Sequence, residues 1–198
     1  MNEAYRHLPL YPLGPGTSYF RPKAAELRPV SLDSSALEAM TDLSQVSAFI
    51  VDPSATIETA LQKMIHGGVR LLLVTNPENA VIGVITAHDL QGEKPTQFVH
   101  TVGVRHEEVL VRDIMTSGEN LDVLRMEDVR KATVGDIVAT LKRVGRQHAL
   151  VEDIHGETGQ RAIRGIFSTT QLGTQLGVQL ESPGVATTFA DLAMALRI

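Results

Sequence analysis

Apolar positions along the chain follow two rhythms, and the rhythms alternate in the same order twice. Between Thr56 and His66, the residues Ile57, Ala60, Leu61 and Met64 recur at the spacing of one helical face. Gly67 and Gly68 close that helix, and one of them can take the left-handed cap. Apolar runs at Leu72–Val74 and Ala80–Ile85 then read as strands joined by the turn residues Asn76 to Asn79. The order returns at Thr133–Val144, where Val134, Ile137, Val138 and Leu141 make a second apolar face, followed by a strand at Ala149–Val151. Short strands are expected ahead of the two helices, at Ser47–Val51 and Leu121–Met126. Ser31–Leu43 predicts a helix capped by Asp33 or Ser34, with Leu37, Met40 and Leu43 on its mixed apolar face. Thr187–Arg197 predicts a terminal amphipathic helix, and Gln91–Glu108, with Gly92, Pro95 and Gly103, reads as a linker.

Superposing the two rhythms reveals an internal repeat. Ala55-Thr56-Ile57 falls on Ala132-Thr133-Val134, and without a gap Gly68 meets Gly145 and Leu72–Val74 meets Ala149–Val151. The connection that follows is five residues longer in the second copy, where Gly156 and Gly159 suit a hairpin tip. Gly83 to Leu90 (Gly-Val-Ile-Thr-Ala-His-Asp-Leu) then matches Gly165 to Leu172 (Gly-Ile-Phe-Ser-Thr-Thr-Gln-Leu). The unit is strand, helix, strand, strand, helix, present twice, which predicts a mixed α/β protein of the α+β class built as a pseudo-symmetric pair.

Each copy ends on a strand that stops at a hydroxyl and passes directly into a helix. Thr86 with Asp89, and Ser168 with Gln171, have capping-box spacing, as Thr133 has with Asp136. One reading is that these groups only cap helices. The other is that a helix N-terminus seats a phosphate, while the carboxylate one turn in accepts from two adjacent ribose hydroxyls.

The sequence Thr-x-x-x-Ala-x-x-x-Met in the first helix, Gly-Val-Arg leading into Leu-Leu-Leu-Val, and Gly-Val-Ile-Thr-x-x-Asp-Leu resembles a CBS domain. Two in tandem resemble a CBS pair, or Bateman module, over roughly residues 36–177. Val111-Arg-Asp-Ile-Met-Thr116 strengthens the likeness, because such a segment commonly opens the second unit. The resemblance implies an arm at residues 1–35, CBS domains at 36–100 and 101–180, and a helical tail at 181–198. It also implies a cleft between the repeats that binds an adenine-containing ligand, AMP, ADP, ATP or S-adenosylmethionine, and a homodimer acting on a protein target in trans. In similar nucleotide-binding domains a basic residue stands just before the second strand, and Arg70 occupies that place. Gln147 takes the equivalent slot in the second copy, bracketed by Arg146 and His148, with Arg164 flanking the last strand. The ligand-binding set is therefore Thr86, His88, Asp89, Arg70, Ser168, Gln171, Arg146 and Arg164. Gln171 departs from the family pattern at the position of Asp89. A neutral amide loses charge assistance, so the Thr86 and Asp89 site is expected to be the stronger.

Composition narrows the remaining classes. Five of the nine prolines and half of the eight aromatics fall within residues 1–30, which predicts an extended arm laid on the module or on a partner subunit. With no cysteine, thiolate and disulfide chemistry are excluded. The net charge of −5 argues against general nucleic-acid binding. No apolar run reaches the length of a membrane span, and residues 1–10 lack the pattern of a signal peptide, so a cytoplasmic protein is expected. His100 and His106-Glu107-Glu108 match no tight metal-ligand spacing, and neither metal nor obligate cofactor is expected. No nucleophile elbow or phosphate loop is present, which argues against an enzyme. A ligand-free scaffold, working through its arm and terminal helix, is the rival to the sensor.

Overall fold

The computed structural model describes residues 28–178 and Leu180. Residues 1–27 of the arm expected at 1–35, and the tail helix expected at 187–197, lie outside them. In chain order the elements are β1 (Thr41–Asp42), β2 (Ile50–Val51), α1 (Ile57–Gly67), β3 (Leu71–Thr75), β4 (Val81–Thr86), α2 (Ala87–Gln91), α3 (Lys94–Val102), α4 (Val111–Ile114), β5 (Thr116–Ser117), β6 (Val123–Arg125), α5 (Met126–Val129), α6 (Val134–Val144), β7 (His148–Ile154), β8 (Arg161–Ser168) and α7 (Thr169–Leu176).

The paired helices form for the local reasons their sequence implies. Thr56 accepts from the Thr59 N–H at the start of α1, and Gly68 closes it at φ 63°. Thr133 accepts from the Asp136 N–H at the start of α6, and Gly145 closes it at φ 64°. Asp136 returns the favour by accepting from the Thr133 N–H at 2.8 Å. Each helix then crosses over between parallel strands, β2 to β3 and β6 to β7.

Two four-stranded mixed sheets result, ordered β2-β3-β4-β5 and β1-β8-β7-β6. β3 is buried on both faces, which is why it reads as an unbroken apolar run. Leu72 and Val74 join the first core with Ile57, Ala60 and Met64. Leu71 and Leu73 point the other way, to a third cluster with Val84 and Leu150 that also gathers residues of the second repeat. The second core collects Phe167, Leu172 and the inner face of α6.

The edge strands are exchanged between repeats. β1, near the start, pairs with β8, Thr41 opposite Ile166. β5, from the middle of the chain, pairs with β4, Val84 opposite Thr116. The exchange is pinned a second time at the helix caps: Val111 N–H donates to Ala55 O at 2.8 Å and Ala36 N–H donates to Ala132 O at 3.0 Å. Residues 36–42 therefore complete the sheet of the second repeat, and 111–117 that of the first. A division of the chain at residue 100 parts each repeat from the segment that completes it.

Two expectations need correction. Ser31–Leu43 is not a helix: only Ala36–Ala39 makes a 3₁₀ turn, and Met40 is already extended at φ −79°, ψ 132°. Pairing of Thr41 and Asp42 with β8 outweighs the local helical pattern, since a single turn carries little propensity to set against it. Nor is Gln91–Glu108 a plain linker, because α3 lies within it. Pro95 sits in the first turn of α3 and Gly103 ends it at φ 79°, the places where those residues favour a helix.

The duplicated glycines at the β-edge contacts differ in what surrounds them. A Cβ on Gly83 would lie 2.5 Å from Thr116 O, a backbone atom held in the β4-β5 ladder, whereas one on Gly165 would meet the thioether of Met40. Gly83→Ala is expected to cost about 1–3 kcal/mol by overpacking, and Gly165→Ala less, because Met40 can bend aside. Urea unfolding of the two variants checks the order.

Candidate functional site

The end of β4 is built from a closed set of hydrogen bonds. Asp89 Oδ2 accepts from Thr86 N–H at 2.9 Å and from Thr86 Oγ1 at 2.7 Å. Thr86 Oγ1 in turn accepts from Asp89 N–H at 3.2 Å. Ala87 N–H donates to Arg70 O at 2.9 Å. Three backbone donors of this turn are thus engaged, and α2 is only five residues long. The phosphate seat expected at this helix start is largely occupied by the protein's own groups, and a helix so short adds little dipole.

Beside this corner, between the repeats, lies a cavity of about 440 Å³. Leu71, Val84, Leu121 and Leu150 give it an apolar floor. Thr86, His88, Asp89 and Thr116 line it from the first repeat's sheet, and Asp122, Arg146, Gln147 and His148 from the second. Asp89 is 7% exposed, and its Oδ1 meets Lys94 Nζ at 2.6 Å. Arg146 is held at the mouth by donating to Asn120 O at 3.1 Å, with Asp122 at 3.8 Å. The volume lies within the usual range of small-molecule sites, and an apolar floor with a few convergent polar groups is their usual lining.

Of the residues expected from sequence, Thr86, His88, Asp89 and Arg146 come together here. The other four do not line this cavity. Arg70 is exposed beside it. Arg164 instead grips Asp42 with two hydrogen bonds, 3.1 and 2.9 Å, and faces a different depression. That carboxyl is raised by burial, but the N–H and hydroxyl of Ser44 and the Arg164 charge together hold it below its usual range. Ser168 makes no side-chain cap, so the second capping box is absent. Gln171 turns away from Ser168, accepting from Thr41 Oγ1 at 2.9 Å and donating to Ala39 O at 3.3 Å. An amide offers both a donor and an acceptor, and the exchanged segment 36–42 supplies partners for both.

Gln147, which the sequence places at the slot equivalent to Arg70, and His148 beside it line the cavity although they stand outside the expected ligand-binding set, as do Thr116 and Asp122, which carry no sequence signal. His148 is the functional candidate among them. Its Nδ1 is buried and has no hydrogen-bond partner among the described residues. Burial pushes its pKa down to about 4, aided by the Arg70 charge and opposed by that of Asp89. At neutral pH the ring is therefore uncharged, with one nitrogen donating and the other accepting. The signal was available in the repeat: Leu71 occupies the same position in the first copy, so a polar residue replaces an apolar one at a lining position. Among the described residues, no three His, Asp or Glu side chains gather in a way that could hold a metal ion, and no helix is long and apolar enough to cross a membrane.

Residues 37–93 match the model of the CBS domain family. No curated protein matches the chain. Among solved structures, an uncharacterized conserved protein from Pyrococcus horikoshii is similar at 23% identity and TM-score 0.53, over 80% of this chain and 99% of that one. The CBS-domain containing protein of Agrobacterium tumefaciens is similar at 18% identity and TM-score 0.53, over 80% and 98%. CBSX2 from Arabidopsis thaliana, solved in complex with AMP, is similar at 19% identity and TM-score 0.51, over 71% and 94%. These likenesses show a shared fold, two β-α-β-β-α repeats packed as a pair. The family match thus places a CBS domain at residues 37–93, and the second repeat shares its fold.

Proposed function

We propose that the chain is a regulatory module that holds an adenosine-type ligand in the cavity between its repeats and acts on a partner protein in trans. The observation that carries this reading is the cavity itself, an apolar floor of Leu71, Val84, Leu121 and Leu150 running up to Asp89 and Thr86. A planar base suits the floor, and the Asp89 carboxylate suits a sugar hydroxyl, since hydrogen bonds to charged groups are the stronger ones. Arg146 and His88 stand at the rim where an anionic group would leave the cavity. The AMP complex of CBSX2 supplies the first ligand to test. Regulation follows if the ligand prefers one mutual arrangement of the repeats, because only differential affinity shifts an equilibrium. No catalytic role is assigned to any of these residues.

A thermal-shift series with adenosine, AMP, ADP, ATP and S-adenosylmethionine tests this. A ligand at about 100 times its Kd adds about 2.7 kcal/mol, which for a chain of this size raises Tm by about 5–10 °C. Asp89→Asn is expected to remove most of the rise, while Gln171→Ala leaves it, because Gln171 is directed away from the cavity. Absence of a shift with every adenine compound would leave the scaffold reading in its place.

A further inference from the structure

The two repeats answer the same structural question with different chemistry, and the difference centres on Lys94. In the first repeat, Lys94 Nζ contacts Asp89 Oδ1 at 2.6 Å and donates to Ile114 O at 3.2 Å. In the second, Gln171 takes the place of Asp89, and Leu176, five residues further on, takes the place of Lys94. Gln171 alone donates to Ala39 O, the counterpart of Ile114, and accepts from Thr41, the counterpart of Thr116. Acid and base are present together in one copy and absent together in the other.

We infer that Lys94 is a positioning residue, the counterion that fixes the Asp89 carboxylate in the cavity wall; its consequence for binding rests on the adenosine reading above. A carboxylate offers about four acceptor positions. Thr86 takes two on Oδ2 and Lys94 one on Oδ1. One position remains, so Asp89 accepts one ligand hydroxyl rather than the two expected from sequence. Lys94 restricts that acceptor to a single direction and ties it, through Ile114, to the segment that completes the first sheet. Removing Lys94 leaves a carboxylate that is 7% exposed without its cation, whereas the lysine side chain itself is 45% exposed and tolerates loss of its partner.

Urea unfolding tests the positioning role without any ligand. Lys94→Leu is expected to lower the midpoint, and adding Asp89→Gln raises it again, since the pair then copies Leu176 and Gln171. A further fall in the double variant overturns the proposal. Titration calorimetry with AMP as the probe gives an independent reading. Lys94→Leu weakens binding by about tenfold or more, the scale of a slackened charge-assisted hydrogen bond, while Lys94→Arg stays within about threefold of the unaltered protein. Equal affinity in Lys94→Leu and the unaltered protein also overturns the proposal. If the unaltered protein binds no AMP, the adenosine reading fails instead, and the urea comparison still decides the role of Lys94.

Discussion

Between pH 6.5 and pH 4 the protein is expected to lose about 3 kcal/mol of folding stability through His148 alone. In the unfolded chain this imidazole titrates near 6.5, and in the folded protein burial beside Arg70 lowers it to about 4. Within that window the unfolded state binds more protons than the folded one, so stability rises with pH and falls on acidification. The contribution is fully present above about pH 6.5 and lost by about pH 4, and at about 1.4 kcal/mol per pH unit the whole span is about 3 kcal/mol. Carboxyl groups held below their usual range, Asp42 and Asp136 among them, act lower, from about pH 4 downward. Urea midpoints measured from pH 7.5 to pH 4.5 therefore report mainly on His148. His148→Leu, which copies Leu71 of the first repeat, is expected to flatten the profile. Equal midpoints at pH 7 and pH 5 in the unaltered protein would mean that the ring is hydrated, and the cavity wall open, at this point.

Phe167→Ala is expected to destabilise the fold by about 3–5 kcal/mol, the usual cost of deleting a buried aromatic ring. Phe167 is fully buried in the second core, where it packs in one cluster with Ala36, Ala39 and Met40. The exchanged segment 36–42 is joined to the repeat by a two-residue strand and a few cap hydrogen bonds. It cannot follow the missing ring inward without breaking them, so much of the cavity persists. Urea unfolding gives the size of the loss. A cost under about 1.5 kcal/mol, typical of a volume-conserving swap, would show that the core collapses onto the gap and that segment 36–42 is held loosely.

The fold was legible where the pattern was local and repeated. Thr56, Thr133 and the glycines at 68 and 145 bound the two long helices, because capping and left-handed closure depend on a few adjacent residues. Thr86 and Asp89 were identified for the same reason. Ser168 and Gln171 have the same spacing and still form no capping box, since Thr41, distant in sequence, offers Gln171 a better-matched partner. Arg164 was placed in the cleft by its position along β8, but Asp42 claims it from the exchanged strand. Sequence pattern alone conceals α3, because Pro95 and Gly103 break a helix in its interior yet favour it at its start and its end, where they stand.

What the sequence determined by itself was the repeat: two helices with their caps, the strands that flank them, and the hydroxyl-to-acid corner at Thr86 and Asp89. These rest on hydrogen bonds and apolar spacing within a few residues, which the order of side chains specifies directly. Only the tertiary structure decided that segments 36–42 and 111–117 change places, that His148 rather than Arg70 or Arg164 lines the cavity, and that Lys94 holds Asp89. Those outcomes depend on which distant group supplies the best-fitting partner for a buried polar atom, and that competition is settled only when the two sheets meet.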